Sequence, residues 1–361
     1  MEGATALNKR KKILKPFIAF AIVTLFLTFF PLPYYISAPG SAMELNEIVK
    51  VEGGNKERGS FSLTTVRIGK ATFVQYAWAK MNNYYEIYPE SYIIPEGESE
   101  DDYSHRQLHM MENSKEQATV VAYTKAKKDI KIDYNGVYVM SLVAGMPAEK
   151  KLKVGDRLFS IDGQKMKSAE EFTNYLSKKK KGDIVTLKLE RDEKIIEVKI
   201  PIAVFPKEKT GDGQDKVGLG IILVTDRKVT VNPPVEINTD KIGGPSAGLM
   251  FALEIYNQLI DEDLTKGYKI AGTGTIGYDG KVGRIGGIAQ KIVAADKAGI
   301  EIFFAPNEQG KKRVDPTGKP ILTNYQEALQ TAKEIHSQMK IIPVDTFDEA
   351  VLYLQKLQPK D

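Results

Sequence analysis

The order of apolar and polar residues divides the chain into stretches of different period. Residues 16–36 carry no charged side chain, and the core of that stretch, Phe17 to Phe30, is almost wholly apolar. As a helix it would be about 30 Å long, close to one bilayer core. Phe61 to Ile68 alternates and is rich in β-branched residues, which predicts a strand. Residues 71–83 and 105–127 predict helices. The second carries Leu108, Met111, Ala118, Val121 and Ala122 at helical spacing. The acidic run 96–102 predicts a solvated loop. Residues 37–129 therefore form a mixed α/β region without recognisable chemistry.

Residues 130–204 are better punctuated. Strands are predicted at 136–141, 184–191 and 195–200, and a helix at 168–179. Ser168 is its cap and Glu171 completes a capping box. A stretch rich in Lys, Gly and Asp, 205–216, opens the last region, 205–361. There β-rich pieces lead into Gly243-Gly244-Pro245-Ser246-Ala247-Gly248 and an apolar helix through Ile260. Gly283 to Gly287 precedes a second helix, 288–298, with Gly299 at its end. A strand at 300–305, another at 341–344 and a helix at 346–357 follow. The fold class is α+β.

Two of these helices carry candidate chemistry. Pro at the first helical position needs no N–H partner, so Pro245 is expected to open the first helix. Ser246 would then sit at the positive end of the helix dipole, where a developing oxyanion is stabilised. The alternative role is a plain N-cap. On the second helix Ile288, Ile292 and Ala295 share one face, Lys291 edges it and Lys297 lies opposite. A lysine drawn into apolar surroundings loses basicity and becomes a general base; a lysine that snorkels to water does not.

Composition removes other chemistries. Zero cysteines exclude disulfides and a thiolate nucleophile, and three histidines, His105, His109 and His336, make a poor metal set. His105 and His109 are expected on a surface. No G-x-x-x-x-G-K-[ST] loop occurs, so ATP hydrolysis is not expected, and a net charge of +4 gives no case for nucleic acid. No metal or other cofactor is expected. Lys9, Arg10, Lys11, Lys12 and Lys15 lie on one side of the apolar stretch. That asymmetry predicts a cytoplasmic N-terminus over residues 1–15, an anchor over 16–36 and an extracytoplasmic remainder; a cleaved signal peptide is the rival.

The Gly-Pro-Ser-Ala-Gly run, with a lysine 45 positions later behind Ile-Gly-Gly, resembles the proteolytic domain of Lon-type proteases. The likeness extends over Gly272-Thr273-Gly274, Gly280 to Gly287, Lys291 to Ala295 and Ala298-Gly299-Ile300. It implies Ser246 as nucleophile and Lys291 as base, with Thr273 near them and Gly243, Gly244 and Pro245 supporting the turn. Gly243 stands where many ATP-dependent members carry an acid, and Thr275 where they carry Glu. Those departures fit a membrane-anchored, ATP-independent branch of Gram-positive type. The resemblance also implies a homo-oligomer, a hexameric ring. Val154-Gly155-Asp156-Arg157-Leu158 and Ile161-Asp162-Gly163 resemble a PDZ domain of the protease-associated type. That likeness implies an extended peptide added as a strand beside Val137, Tyr138, Val139, Met140 and Ser141, flanked by helix 168–179. No Gly-Leu-Gly-Phe loop occurs in its usual form. Together these imply a serine endopeptidase acting on extracytoplasmic peptides or proteins. The competing function is a non-catalytic PDZ adaptor on a Lon-like scaffold.

Overall fold

The computed structural model describes residues 16, 18, 20–94, 99–205, 216–240, 242–310, 313–314 and 320–360. The chain forms two compact units. The first comprises residues 1–128, 233–312 and 322–361, and the second 129–232 with 313–321.

In the first unit residues 20–29 are helical (α1). Strand β1, Pro31–Glu44, follows after one residue. The predicted anchor is therefore corrected at its end, because residues 31–36 are strand. Pro31 and Pro33 lack the N–H a helix needs and bias the residues before them toward extended backbone. Tyr35 and Ile36 pair with Lys70 and Gly69 instead. Among the described residues no helix is long and apolar enough to cross a membrane. The basic residues of 1–15 lie outside the described residues.

Further strands of this unit are β2 (Val49–Val51), β3 (Ser60–Thr72), β4 (Glu86–Pro89), β10 (Val235–Ile237), β11 (Lys269–Gly272), β12 (Ile302–Pro306) and β13 (Lys340–Val344), besides a short pair at Thr275–Ile276 and Val282–Gly283. Six of its strands form one mixed sheet in the order β13-β12-β11-β3-β1-β4. The β11, β12 and β13 ladder is parallel and continues in parallel onto β3, whereas β1 joins β3 antiparallel. The predicted strand 61–68 is thus a central strand of this sheet. Helix α2, Phe73–Lys80, follows it directly behind a Thr72 capping box.

Helix α3, Glu100–Ala126, begins earlier than predicted. Ser99 caps it and Asp102 completes the capping box, with Glu100, Asp101 and Asp102 in the first turn. The acidic run reads as a loop by polarity, yet its charges complement the helix dipole; residues 96–98 lie outside the described ones. Helix α5, Gly248–Leu259, is buried nearly all round and packs against α3. Helix α6, Ile288–Lys297, buries Ile288, Ile292 and Ala295 as its spacing predicts. It packs with α7, Asn324–Glu334, over Phe303 and Ile341 of the sheet. Helix α8, Phe347–Gln355, closes the unit, with the Thr346 side chain accepting from Glu349 N.

The second unit is an antiparallel sheet of β5 (Asp129–Leu142), β6 (Arg157–Ile161), β7 (Ile184–Arg191), β8 (Lys194–Pro201) and β9 (Ile221–Asn232). Their order is β9-β5-β6-β7-β8. Helix α4, Ala169–Leu176, is shorter than predicted and is capped by Ser168. Phe172 and Leu176 enter a core with Val137, Leu158, Leu187 and Ile200. The strands that open and close residues 129–232 pair along their length, Asp129 opposite Asn232.

Candidate active site

The serine turn is set by three local constraints. Gly244 holds φ +89°, a conformation that costs glycine little, and a Cβ on Gly243 would lie 2.8 Å from the Gln107 side chain. Gly244 N donates to Gln107 O at 2.8 Å, and Ser114 Oγ donates to Pro245 O at 3.1 Å. Both partners belong to α3. The region without recognisable chemistry thus braces the turn through one backbone carbonyl, Gln107 O, and one side-chain hydroxyl, Ser114 Oγ.

Pro245 does not open α5. The helix begins at Gly248 with Ala247 as N-cap and no side-chain cap bond. Ser246 lies in the turn just ahead, so its hydroxyl is not consumed as a cap and faces Lys291 instead. At Gly248 a Cβ would come within 2.8 Å of Ile276 and 2.9 Å of Ser114, so only glycine lets the helix start this close.

Lys291 rises from the second turn of α6. Gly287 begins that helix at φ +68°, where a Cβ would press on Val66. The loop before it is pinned by Asn324, which receives Ile285 N and donates to Ile285 O. Arg284 pairs with Glu308 at 2.8 Å. Lys291 is 2% exposed. Its Nζ lies 2.8 Å from Ser246 Oγ and 2.9 Å from Thr273 Oγ1. Burial alone lowers its pKa to about 7, because an apolar site disfavours the ammonium.

Thr273 fixes the protons of this trio. Its hydroxyl donates to Ser246 O at 3.0 Å, so its lone pairs face Lys291. A neutral amine has two N–H groups and one lone pair. With one N–H held by Thr273, the lone pair is available to accept from the Ser246 hydroxyl. The Thr273 backbone is locked in turn. Gly274 N donates to Ser246 O at 2.9 Å, and Leu249 N to Gly274 O at 3.1 Å. Gly272 must be glycine because a Cβ there would meet Met250 and Phe304 under 3.0 Å. Chemically, the trio is a hydroxyl with a buried amine base beside it, competent for nucleophilic attack without a metal or carboxylate. His105 and His109 lie exposed on α3, and no cluster able to hold a metal ion occurs among the described residues.

In the second unit the pairing strand is corrected. Val137, Tyr138 and Val139 on β5 bond β9 on one side, and β6 and its approach on the other. Ser141 is opposite Ile222, and Met140 lies at the bulge in that ladder. A strand occupied on both edges cannot add a peptide. The terminal strand beside α4 is β9, and Ala169 N, at the start of α4, donates to Thr225 Oγ1 at 2.7 Å. Gly218-Leu219-Gly220-Ile221 leads into β9 and matches three of the four residues of the loop type that looked absent. Gly220 has φ +83°, and a Cβ there would collide with Met146.

The chain matches the PDZ domain family over residues 109–202 and the Lon protease C-terminal proteolytic domain family over 223–354. The first match begins on α3, and the second takes in β9, so neither coincides with a compact unit. The Lon protease of Mesomycoplasma hyopneumoniae is 34% identical over 113 residues, 31% of this chain and 11% of that protein. The Lon protease of Campylobacter concisus is 35% identical over 109 residues, 30% of this chain and 11% of that protein. The chain thus spans about a tenth of the length of these relatives. A solved PDZ domain of an SdrC-like protein from Listeria monocytogenes is 37% identical, covering 26% of this chain and 93% of that one, with a TM-score of 0.23. The two family matches give the chain a PDZ domain and a Lon-type C-terminal proteolytic domain.

Proposed function

We propose that this chain is a membrane-anchored, ATP-independent serine endopeptidase that cleaves extracytoplasmic peptides or proteins. The observation that carries the catalytic part is the 2.8 Å approach of buried Lys291 to Ser246. Neutral Lys291 takes the hydroxyl proton as Oγ attacks the scissile carbonyl, then returns it to the leaving amine. The amides of the turn into α5 lie at the positive end of a helix and suit the oxyanion. Water, deprotonated by the same amine, resolves the acyl-enzyme. An adaptor without catalysis would gain nothing from a lysine buried at such cost beside a serine.

The docking role falls to the outer edge of β9 at residues 221–225, with α4 as the opposite wall and Gly218 to Gly220 at the end of the groove. The anchor rests on the basic cluster ahead of the uncharged stretch and on the apolar exposure of α1. The Lon resemblance supports a homo-oligomer, a ring of six. The test is hydrolysis of a quenched-fluorescence peptide library by the purified full chain, without nucleotide and with a chelator. Turnover lost in Ser246→Ala supports the reading. Turnover retained in Ser246→Ala, or none in any condition, overturns it.

A further inference from the structure

We propose that α2 is a membrane-surface helix, which lies in the lipid headgroup layer beside α1 and seats the catalytic unit on the bilayer. The proposal rests on the anchor reading above and adds a second, separate contact.

Helix α2 is amphipathic in the reverse of the usual sense. At about 100° per residue, Phe73, Ala77, Met81, Val74 and Trp78 fall on one continuous arc of roughly 140°. That arc points away from the domain. Val74 is 52% exposed, Trp78 56% and Met81 79%, whereas the small Ala79 on the opposite side is buried. A water-facing helix carries the opposite arrangement. Isolated apolar residues on a surface need no explanation, but a whole helical face of this kind marks a contact.

What covers it follows from its neighbour. The Phe73 ring lies 6.0 Å from Phe26 and 6.4 Å from Phe30, at the end of α1. The large side chains of α1 are exposed around its circumference, including Phe20, Val23, Leu25, Phe26 and Phe29. Only Phe30 separates α1 from β1, so no flexible linker lets the domain stand off from whatever surrounds α1. The two apolar surfaces are therefore one surface. Its composition at the α2 end is that of a membrane interface: Trp78, the Tyr34–Tyr76 pair at 5.2 Å, and Lys80 over the Tyr76 ring at 5.4 Å. An open apolar groove of 390 Å³ lined by Ile36, Ile68, Val74, Trp78 and Tyr85 continues the face. A second copy of the chain would need no such gradation from apolar helix to aromatic–cationic rim.

Trp78 is the one tryptophan in the sequence, which makes the test direct. The full chain is reconstituted into phosphatidylcholine vesicles carrying bromine at a shallow or a deep acyl position. Vesicle flotation is measured alongside tryptophan emission. The expected result is a blue-shifted emission that shallow bromines quench by roughly half and deep bromines quench less, as an interfacial indole requires. Val74→Glu with Met81→Glu should restore red-shifted, unquenched emission while the chain still floats and still cleaves soluble peptide. Floating chain whose Trp78 is open to iodide and blind to bromolipid overturns the proposal and leaves the anchor standing. Blue-shifted emission blind to both quenchers means a protein contact, a second copy, and also overturns it. Chain that fails to float removes the anchor itself, and this proposal with it.

Discussion

Lys291 Nζ meets Ser246 Oγ at 2.8 Å across 45 residues of sequence, and no carboxylate joins them. The basicity of this lysine is set by burial rather than by a charged partner. Its behaviour under substitution and pH is correspondingly simple.

Ser246→Ala and Lys291→Arg should both fold and both lose peptidase activity by roughly 10³-fold or more, since neither nucleophile nor base can be replaced by binding alone. Guanidinium does not deprotonate at working pH. Peptide hydrolysis with circular dichroism as the control for folding checks this. A folded Lys291→Arg protein with substantial turnover would make the lysine a structural cation.

Activity should rise about tenfold per pH unit on the acid side and level off above about pH 7, where Lys291 becomes neutral. The same shift has a stability consequence of definite sign. The folded pKa lies below the unfolded one, so between the two the unfolded chain binds the extra proton and stability rises with pH. Lys291→Met should therefore raise Tm near pH 6, with a gain that shrinks as pH approaches about 10. Thermal melts across that range decide it.

Thr273→Val removes both the bond to Ser246 O and the acceptor for Lys291 Nζ. We expect kcat to fall by roughly 10–100-fold with KM little changed, the loss expected when a base is misdirected. Losing an acceptor also disfavours the ammonium, so the acid limb should move to lower pH. Thr273→Ser should restore most of kcat and the original limb. A Val variant with wild-type kcat would remove Thr273 from the machinery.

Helix α5 carries a second buried oddity. Glu254 is fully buried, and Glu57 approaches it while accepting from Asn257 at 3.1 Å. Burial first, and for Glu57 the neighbouring carboxylate second, raise both pKa values well above the usual range. Glu57 Oε1 and Glu254 Oε2 have no hydrogen-bond partner among the described residues, and a proton shared between the two carboxyls would satisfy both. Raised carboxyl pKa values give stability that is present at acid pH and lost as pH rises. Glu254→Gln should melt several degrees above wild type near pH 9 and close to it near pH 4; about 1 kcal/mol corresponds to about 2–4 °C in a domain of this size. Equal melting at alkaline pH would mean that the pair is not protonated.

Peptide docking on the second unit is checked by amide hydrogen exchange. A bound peptide should slow exchange at residues 221–225 and leave Val137 to Val139 unchanged, because those amides are already in a ladder on one side or the other. Slowing confined to the β5 residues would return the docking role to that strand.

The sequence by itself determined the elements with strong local signals. The alternation of 61–68, the Ser168 cap, and the buried face of Ile288, Ile292 and Ala295 were legible because each depends on neighbours a few residues away. Ser246 and Lys291 were legible as candidates because their glycine-rich surroundings are local constraints on backbone as well, and Thr273 only through the Lon resemblance. Tertiary structure alone decided what those residues do to one another. The placing of Lys291 Nζ between two hydroxyls depends on Thr273, and the shape of the serine turn depends on Gln107 O and Ser114 Oγ from a helix more than 130 residues earlier. A backbone acceptor such as Gln107 O is the same for every residue type, and a lone serine within a helix points to no partner, so α3 left no mark of its role. Which strand of the second unit is an edge was likewise beyond the sequence. β5 and β9 are both apolar alternating strands, and only strand order leaves one of them with unpaired amides. The end of α1 was misplaced for a related reason: hydrophobicity counts residues 31–36 as continuous with it, while two prolines and a waiting partner strand turn the same residues into sheet.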